Sequence, residues 1–413
     1  MLKARVNTPA SHALFEPLEP RLLLSGYIKV LMASSIYEHV LPWAEMYEAD
    51  LEAEGYAVDV ARCMEISADG LRSSLAQTWQ DHSDFQGAVL VGDLPTPVFE
   101  IENDYDPEDQ FGYAAFPCDL YYMDLDGTWK DTDHDGRFDD HPNDGNQCPD
   151  IWVSRVTPGR AGSVVDLARA YFRKLHNYRT GQISFEDQGL LYIDDDWASS
   201  ADGWSQAVGK IYSSVSTISD ESTTTAEHFR QTLSSTNVEW MHTAIHSSAT
   251  SMSFGPTGDS SEGALSASEI SALNPRIGFF DWFQCSFADY TVDGYGAGEY
   301  IFDTDYGLVG VGSTKTGSMV HNVGIFYESL SNGESMGRAF KEWLCDIGSD
   351  GYSSSETSWE FGMALIGDGA LGPKHPQNSN GLGYLPIDTL LGDGTAQVAN
   401  VSLVQLAISS DTP

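Results

Sequence analysis

The chain has 413 residues, 41% of them hydrophobic and 11% aromatic, enough to bury one large core or two moderate ones. Asp and Glu number 61 against 21 Lys and Arg, a formal net charge of -40. A surface this acidic disfavours nucleic acid and anionic lipid as partners and suits a saline or calcium-containing medium.

From Tyr27 the pattern alternates strand and helix. Tyr27–Ala33 reads as a strand, followed by a helix from about Tyr37 to Glu54, a short strand over Tyr56–Val60 and a helix over Ser67–Gln80. Gly87–Asp93 is a buried strand closed by the turn Leu94-Pro95-Thr96-Pro97. An acidic, aromatic, Gly-rich insert runs from Glu100 to Asp150, after which Asp150–Val156 resumes the sheet and a helix covers about Ala161 to Tyr178. In the second half, strands are expected at Leu190–Ile193, Asn237–His246, Ile277–Cys285 and Tyr306–Gly312. Helices are expected over Trp204–Ser213, Thr225–Leu233, Ser266–Leu273, Val320–Ser331 and Ser335–Cys345. Such alternation implies an α/β fold with a mostly parallel sheet covered on both faces. Beyond about Pro373 the tail is polar, ending in an alternating run, Thr395–Ile408, that reads as an edge strand or the start of a truncated module. No internal repeat is visible, and no stretch reaches the roughly 18 to 20 apolar residues that span a bilayer.

Two strands end in reactive residues. Asn237-Val238-Glu239-Trp240-Met241-His242-Thr243-Ala244-Ile245 delivers His246, and Ile277-Gly278-Phe279-Phe280-Asp281-Trp282-Phe283-Gln284 delivers Cys285. Chemistry in open α/β sheets gathers at the carboxyl ends of strands. There a thiol needs a base to make it nucleophilic, and an imidazole supplies one. Backbone N–H groups of the turns at Ser247-Ser248 and Cys285-Ser286 are the expected oxyanion donors. His242 and Asp281 share the faces of His246 and Cys285 but lie roughly 13 Å lower, which marks His242 as a core histidine and Asp281 as half of a structural ion pair.

Within the insert, Asp131-Thr132-Asp133-His134-Asp135-Gly136-Arg137-Phe138-Asp139 has the front half of an EF-hand-like calcium loop. Ligands are expected from Asp131, Asp133, Asp135, the Arg137 position and Asp139, with Gly136 at the sharp turn. Position 12 holds Pro142, so Asp140 or Asp144 would have to close the shell, and Asp124 and Asp126 join this site or form another. Packed carboxylates repel unless a cation neutralises them, so structural Ca2+ is expected. Of five cysteines, Cys118 and Cys148 flank the insert and are placed to form a disulfide in an oxidising compartment, leaving Cys285 free.

The His246 and Cys285 blocks, 39 residues apart, resemble the caspase-like clan of cysteine peptidases and, within it, the gingipain-type group. Ala88-Val89-Leu90-Val91-Gly92-Asp93, Tyr121–Gly127 with Pro149–Arg155, and Phe361–Leu371 match that group's segments in order, over about residues 27 to 373. The resemblance implies a three-layer α/β/α domain with two side-by-side subdomains, about 27–180 and 181–373, the acidic insert being 100–150. It implies an enzyme that cuts peptide bonds in proteins or peptides through a thioester on Cys285, with His246 as its base. Asp150 stands in a place similar to that of an acidic residue that orients the histidine in some relatives; capping the insert is the other role open to it. The pocket wall would come from Ser313, Thr314 and Lys315, where Lys315 favours acidic substrates and the overall field basic ones. Two departures stand out: Ser247 replaces the usual glycine, and Gln284-Cys285-Ser286-Phe287-Ala288 replaces an Ala-Cys-Val-Asn-Gly-like setting. Transfer of the acyl group to an amine, as in sortase-like relatives, uses the same dyad. A non-catalytic calcium-binding surface module is the contrasting reading. Finally, Phe15-Glu16-Pro17-Leu18-Glu19-Pro20-Arg21-Leu22-Leu23-Leu24 resembles the LEPR-type segment of surface and secreted proteins of planctomycetes and marine bacteria, which implies an extracellular or cell-surface location for a chain whose N-terminal arm is residues 1–26.

Overall fold

The computed structural model describes residues 26–105, 112–142, 147–159 and 163–374. The LEPR-like segment and the Thr395–Ile408 run lie outside these described residues. In chain order the strands are β1 (Gly26–Ala33), β2 (Tyr56–Cys63), β3 (Phe85–Val91), β4 (Val98–Asp104), β5 (Gly112–Pro117), β6 (Trp152–Val156), β7 (Glu186–Ile193) and β8 (Val215–Ile218). They continue with β9 (Asn237–Ala244), β10 (His246–Ser248), β11 (Ser251–Ser253), β12 (Ala264–Ser266), β13 (Arg276–Phe283), β14 (Val309–Ser313) and β15 (Met363–Gly367).

Ten of them form one sheet in the order β2-β1-β3-β6-β15-β14-β13-β9-β7-β8. Pairing is parallel within β2-β1-β3-β6 and within β14-β13-β9-β7-β8. β15 runs antiparallel to β14 and meets β6 through a single bridge between Ile366 and Arg155. The last strand among the described residues thus closes the seam between strands from the two halves of the chain. Helices cover the sheet, as a parallel sheet requires because its apolar residues point to both faces. The 17-residue helix Tyr37–Ala53 and the 16-residue helix Val164–Arg179 pack on one another, and Gly324–Ser331 packs on Met336–Gly348. No helix among the described residues is long and apolar enough to cross a membrane.

The central strands are buried over nearly their full length. β13, Arg-Ile-Gly-Phe-Phe-Asp-Trp-Phe, has six consecutive buried residues, and Trp240 and Trp282 are fully buried. Removing one such aromatic from water contributes on the order of 2 kcal/mol. Among the polar side chains that break this interior, His242 and Asp281 pair across the two strands. His242 Nδ1 lies 2.9 Å from Asp281 Oδ2, and the Tyr327 hydroxyl donates to the same oxygen at 2.6 Å. The two residues are direct register partners on β9 and β13. His242 is therefore a core histidine, and Asp281 is its ion-pair partner.

A buried pair ties the halves together at the functional edge. Arg155, at the end of β6, donates to both oxygens of Asp119, at 2.6 and 2.9 Å, and the Tyr290 hydroxyl donates to Asp119 Oδ1 at 2.9 Å. Tyr290 follows Cys285 by a few residues, so the insert's first turn is anchored to the loop that carries the thiol.

Elsewhere the insert departs from the expectation. It begins as a hairpin, β4 with β5, and its far end is stapled by a disulfide between Cys148 and Cys345. Cys118 is not the partner of Cys148. It is buried at 1% exposure beneath the hairpin, whereas the chain at Cys148 runs back to the helix Met336–Gly348. There Lys341 also donates to the Asp150 carbonyl at 2.6 Å.

Candidate active site

β9 and β13 are parallel neighbours in a register that sets Ala244 opposite Phe283. His246 and Cys285 each follow two residues later, so the sheet delivers them side by side at its carboxyl edge. The Ser247 hydroxyl donates to the Cys285 carbonyl at 2.8 Å, which fixes the two strand ends against each other. Both residues are partly exposed, as a nucleophile and its base must be.

Beyond the dyad the chain takes strained turns. Ser286 has φ +56°, the left-handed region that costs a side-chain-bearing residue on the order of 1 kcal/mol. That turn sends its N–H to the Lys315 carbonyl at 2.7 Å, so Ser286 is not an oxyanion donor. Ser247 lies in β10, in register with Met252 of β11, and its hydroxyl is engaged by Cys285.

Burial pushes the Cys285 thiol above its ordinary range, while the Gly317 N–H, the Thr316 hydroxyl and the Lys315 ammonium pull it back. The resting sulfur is therefore a thiol that needs a base. His246, at the neighbouring strand end, has one nitrogen already engaged. Its Nε2 lies 2.8 Å from Asp196 Oδ2, which also accepts the Thr257 N–H at 2.8 Å. A carboxylate only accepts, so Nε2 carries the proton and Nδ1 is the basic nitrogen. The imidazole is packed against Trp197, ring centroids 4.4 Å apart, and beneath Gly258. Gly258 has φ +66°, and a Cβ there would lie 2.7 Å from the His246 Cβ, so only glycine lets the loop close over the base.

Asp196, not Asp150, is the carboxylate bonded to the imidazole, and Asp150 takes the other of its two expected places, within the insert. The Asp150 carboxylate accepts the Leu125 and Asp126 N–H groups at 2.8 and 3.3 Å and clusters with Asp124 and Asp126. It organises the insert and does not orient His246. A sequence signal for Asp196 was present: three consecutive acids, Asp194-Asp195-Asp196, end the apolar run of β7, and β7 is the other parallel neighbour of β9.

The expected pocket wall is also reassigned. Ser313, Thr314 and Lys315 are 0, 3 and 5% exposed. Thr314 donates through its N–H to the Gly362 carbonyl and through its hydroxyl to the Pro117 carbonyl, each at 2.7 Å. Lys315 Nζ sits 2.7 Å from Asp104 Oδ2 and donates to the Ser358 carbonyl at 2.7 Å. The segment is an interior seam between β14 and the insert hairpin, and its ammonium is neutralised rather than offered to substrate. What flanks the thiol instead is aromatic: Trp197 on Phe283, Phe283 beside Trp359, and Trp359 edge-on to Tyr105, all four partly exposed.

In the insert, Asp131, Asp133 and Asp135 bring one oxygen each within 4.8 Å of one another. Asp131 accepts the Asp135 and Gly136 N–H groups, and Gly136 has φ +96°, so the loop wraps around its carboxylates. Asp139 turns away toward Thr132 and instead groups with Glu100 and Asp133. The Arg137 side chain reaches Glu100. Asp124 and Asp126 form a separate group with Asp150, and burial pushes Asp124 up to about 7 against the pull of Arg72. These oxygen-only sets fit a hard cation such as calcium.

Known proteins resemble the chain in family and in fold. The model of peptidase family C25 matches residues 26–374. A solved complex of Porphyromonas gingivalis RgpB pro- and mature domains superposes with a TM-score of 0.57 at 12% identity, covering 85% of this chain and 80% of that one. No curated protein matches the chain.

Proposed function

The chain belongs to peptidase family C25 and is a cysteine-type peptidase with the caspase-like fold of the gingipains, and on that premise we propose that it is an endopeptidase working through His246 and Cys285, with Asp196 as the positioning residue. One observation carries the reading: His246 and Cys285 follow matched positions of adjacent parallel strands, and a carboxylate holds the imidazole's far nitrogen. His246 Nδ1 takes the thiol proton as Sγ attacks the scissile carbonyl carbon. The tetrahedral oxyanion is held by backbone N–H at the Cys285 turn. Imidazolium then protonates the amine, which leaves, and water deprotonated by the same nitrogen cleaves the thioester.

Its substrates are proteins, and the aromatic surround of Cys285 supports an apolar residue next to the scissile bond. The disulfide supports export, because such bonds persist in oxidising compartments. We assign structural Ca2+ to the Asp131, Asp133 and Asp135 loop, whose role is to hold the insert against the hairpin. Labelling with a thiol-directed peptidyl electrophile tests the core of the proposal. Wild type should be modified at Cys285 with loss of peptidase activity, and His246→Ala should react far more slowly. Labelling at Cys63 or Cys118 with Cys285 untouched would overturn it. Product analysis with an added amine acceptor separates hydrolysis from transfer.

A further inference from the structure

A second acidic group lies outside the insert, directly behind the histidine's partner. Asp194, Asp195 and Glu262 bring one oxygen each within 4.8 Å of one another. Asp194 is 1% exposed; its Oδ2 accepts the Gly255 N–H at 3.2 Å, and its Oδ1 is buried with no hydrogen-bond partner. Glu262 Oε2 is likewise enclosed and without a donor. The charges acting on Glu262 come from Asp195, Asp259 and Glu221, all of them acids. Asp195 is partly exposed and its Oδ1 accepts the Thr224 hydroxyl at 3.1 Å, so two donor-less carboxylate oxygens converge with a third acid, an arrangement that a cation relieves.

We propose that Asp194, Asp195 and Glu262 form a calcium site that couples cation binding to the placement of His246. The donor set is all oxygen, drawn from two loops, and open on one side to water, which suits a large hard cation with flexible coordination. The coupling follows from connectivity. Asp194 and Asp195 adjoin Asp196, and Glu262 ends the loop whose Thr257 N–H holds Asp196 and whose Gly258 packs on His246. A cation bridging the two loops clamps both walls of the imidazole's seat. This coupling rests on the proposed role of His246, whereas the binding itself does not.

The test separates the two claims. Calcium binding is measured by titration calorimetry, and by Tb3+ luminescence sensitised by nearby Trp197, on the full chain carrying Cys285→Ala. Glu262→Gln, nearly isosteric and partly exposed, and Asp133→Asn are each added to that background. Glu262→Gln should lose one calcium with affinity weakened at least about tenfold, keeping those of the insert, and Asp133→Asn should do the opposite. With Cys285 restored, calcium should raise kcat in Asp133→Asn but not in Glu262→Gln. Unchanged stoichiometry and affinity in Glu262→Gln, with wild-type circular dichroism, would overturn the site. Loss of the calcium in that variant with kcat still fully calcium-responsive would overturn the coupling. Absence of activity in every protein, with the binding pattern intact, would instead refute the dyad.

Discussion

Replacing Asp196 by Asn isolates the charge behind the base. The amide oxygen can still accept both the Thr257 N–H and the His246 Nε2–H, so the ring keeps its seat and loses only its counter-ion. When His246 takes the thiol proton, imidazolium and carboxylate stand with charge centres about 4 Å apart. Their attraction is about 1 kcal/mol in water and about 4 kcal/mol at an effective dielectric of 20. The side chains of His246 and Asp196 are 30 and 34% exposed, so solvent screening places the value near the lower half of that range, about 2 kcal/mol. The expected outcome is a kcat about 30-fold lower with KM nearly unchanged. Asp196→Ala also removes the hydrogen bonds and should lose roughly a further fivefold. The assay is steady-state hydrolysis of a fluorogenic peptide drawn from a positional library, with Asp150→Asn in parallel. An Asp196→Asn enzyme within twofold of wild type, or an Asp150→Asn enzyme equally impaired, would refute the assignment.

The Cys148–Cys345 bond closes a loop spanning a sequence separation of 197, so its removal by Cys148→Ser with Cys345→Ser should destabilise by about 5 kcal/mol on the chain-entropy model. Over a folded domain of roughly 350 residues that is about 7 °C in calorimetric Tm, and a shift under 2 °C would contradict it. Lys315→Met leaves Asp104 buried without its ammonium, and denaturant unfolding should show a loss of about 3 to 5 kcal/mol. Preference among acidic and basic peptides should not change, and a switch there would restore Lys315 to the pocket. In His246→Ala, alkylation of Cys285 by iodoacetamide reads the thiol alone. Burial raises that thiol, so its thiolate fraction grows only at high pH and the rate should still climb above pH 9; a plateau below pH 8 would show an ion-paired thiolate instead.

Long apolar runs were legible because burial on both faces leaves a continuous signal: β3, β9, β13 and β14 lie within a few residues of where the sequence puts them. Elements stabilised by tertiary partners were not. β8 is four residues with none fully buried, and β10 to β12 are three residues each, too short to show a period. β15 escaped for another reason. Its Met-Ala-Leu-Ile-Gly run marks a buried segment, but nothing local says that it crosses back between β14 and β6.

Strand-end logic located the thiol and the imidazole because each stands alone at the close of an apolar run, and the same logic applies to Asp194-Asp195-Asp196. The role of Asp150 stayed open between the histidine and the insert because it also borders a strand, and the sequence does not say which strand lies next to β9. Sheet order decides it: β7 is the neighbour of β9, whereas β6 lies beyond β15, β14 and β13. The disulfide turned on the same kind of information. Cys118 and Cys148 are close in sequence, but the insert returns to the helix Met336–Gly348, and proximity along the chain gives way to the path of the fold. Residue chemistry thus names the proposed pair, while its charge partner and its covalent brace depend on which strands and helices become neighbours. Substitutions at Asp196 and Cys345 therefore test the topology as directly as those at Cys285 test the chemistry.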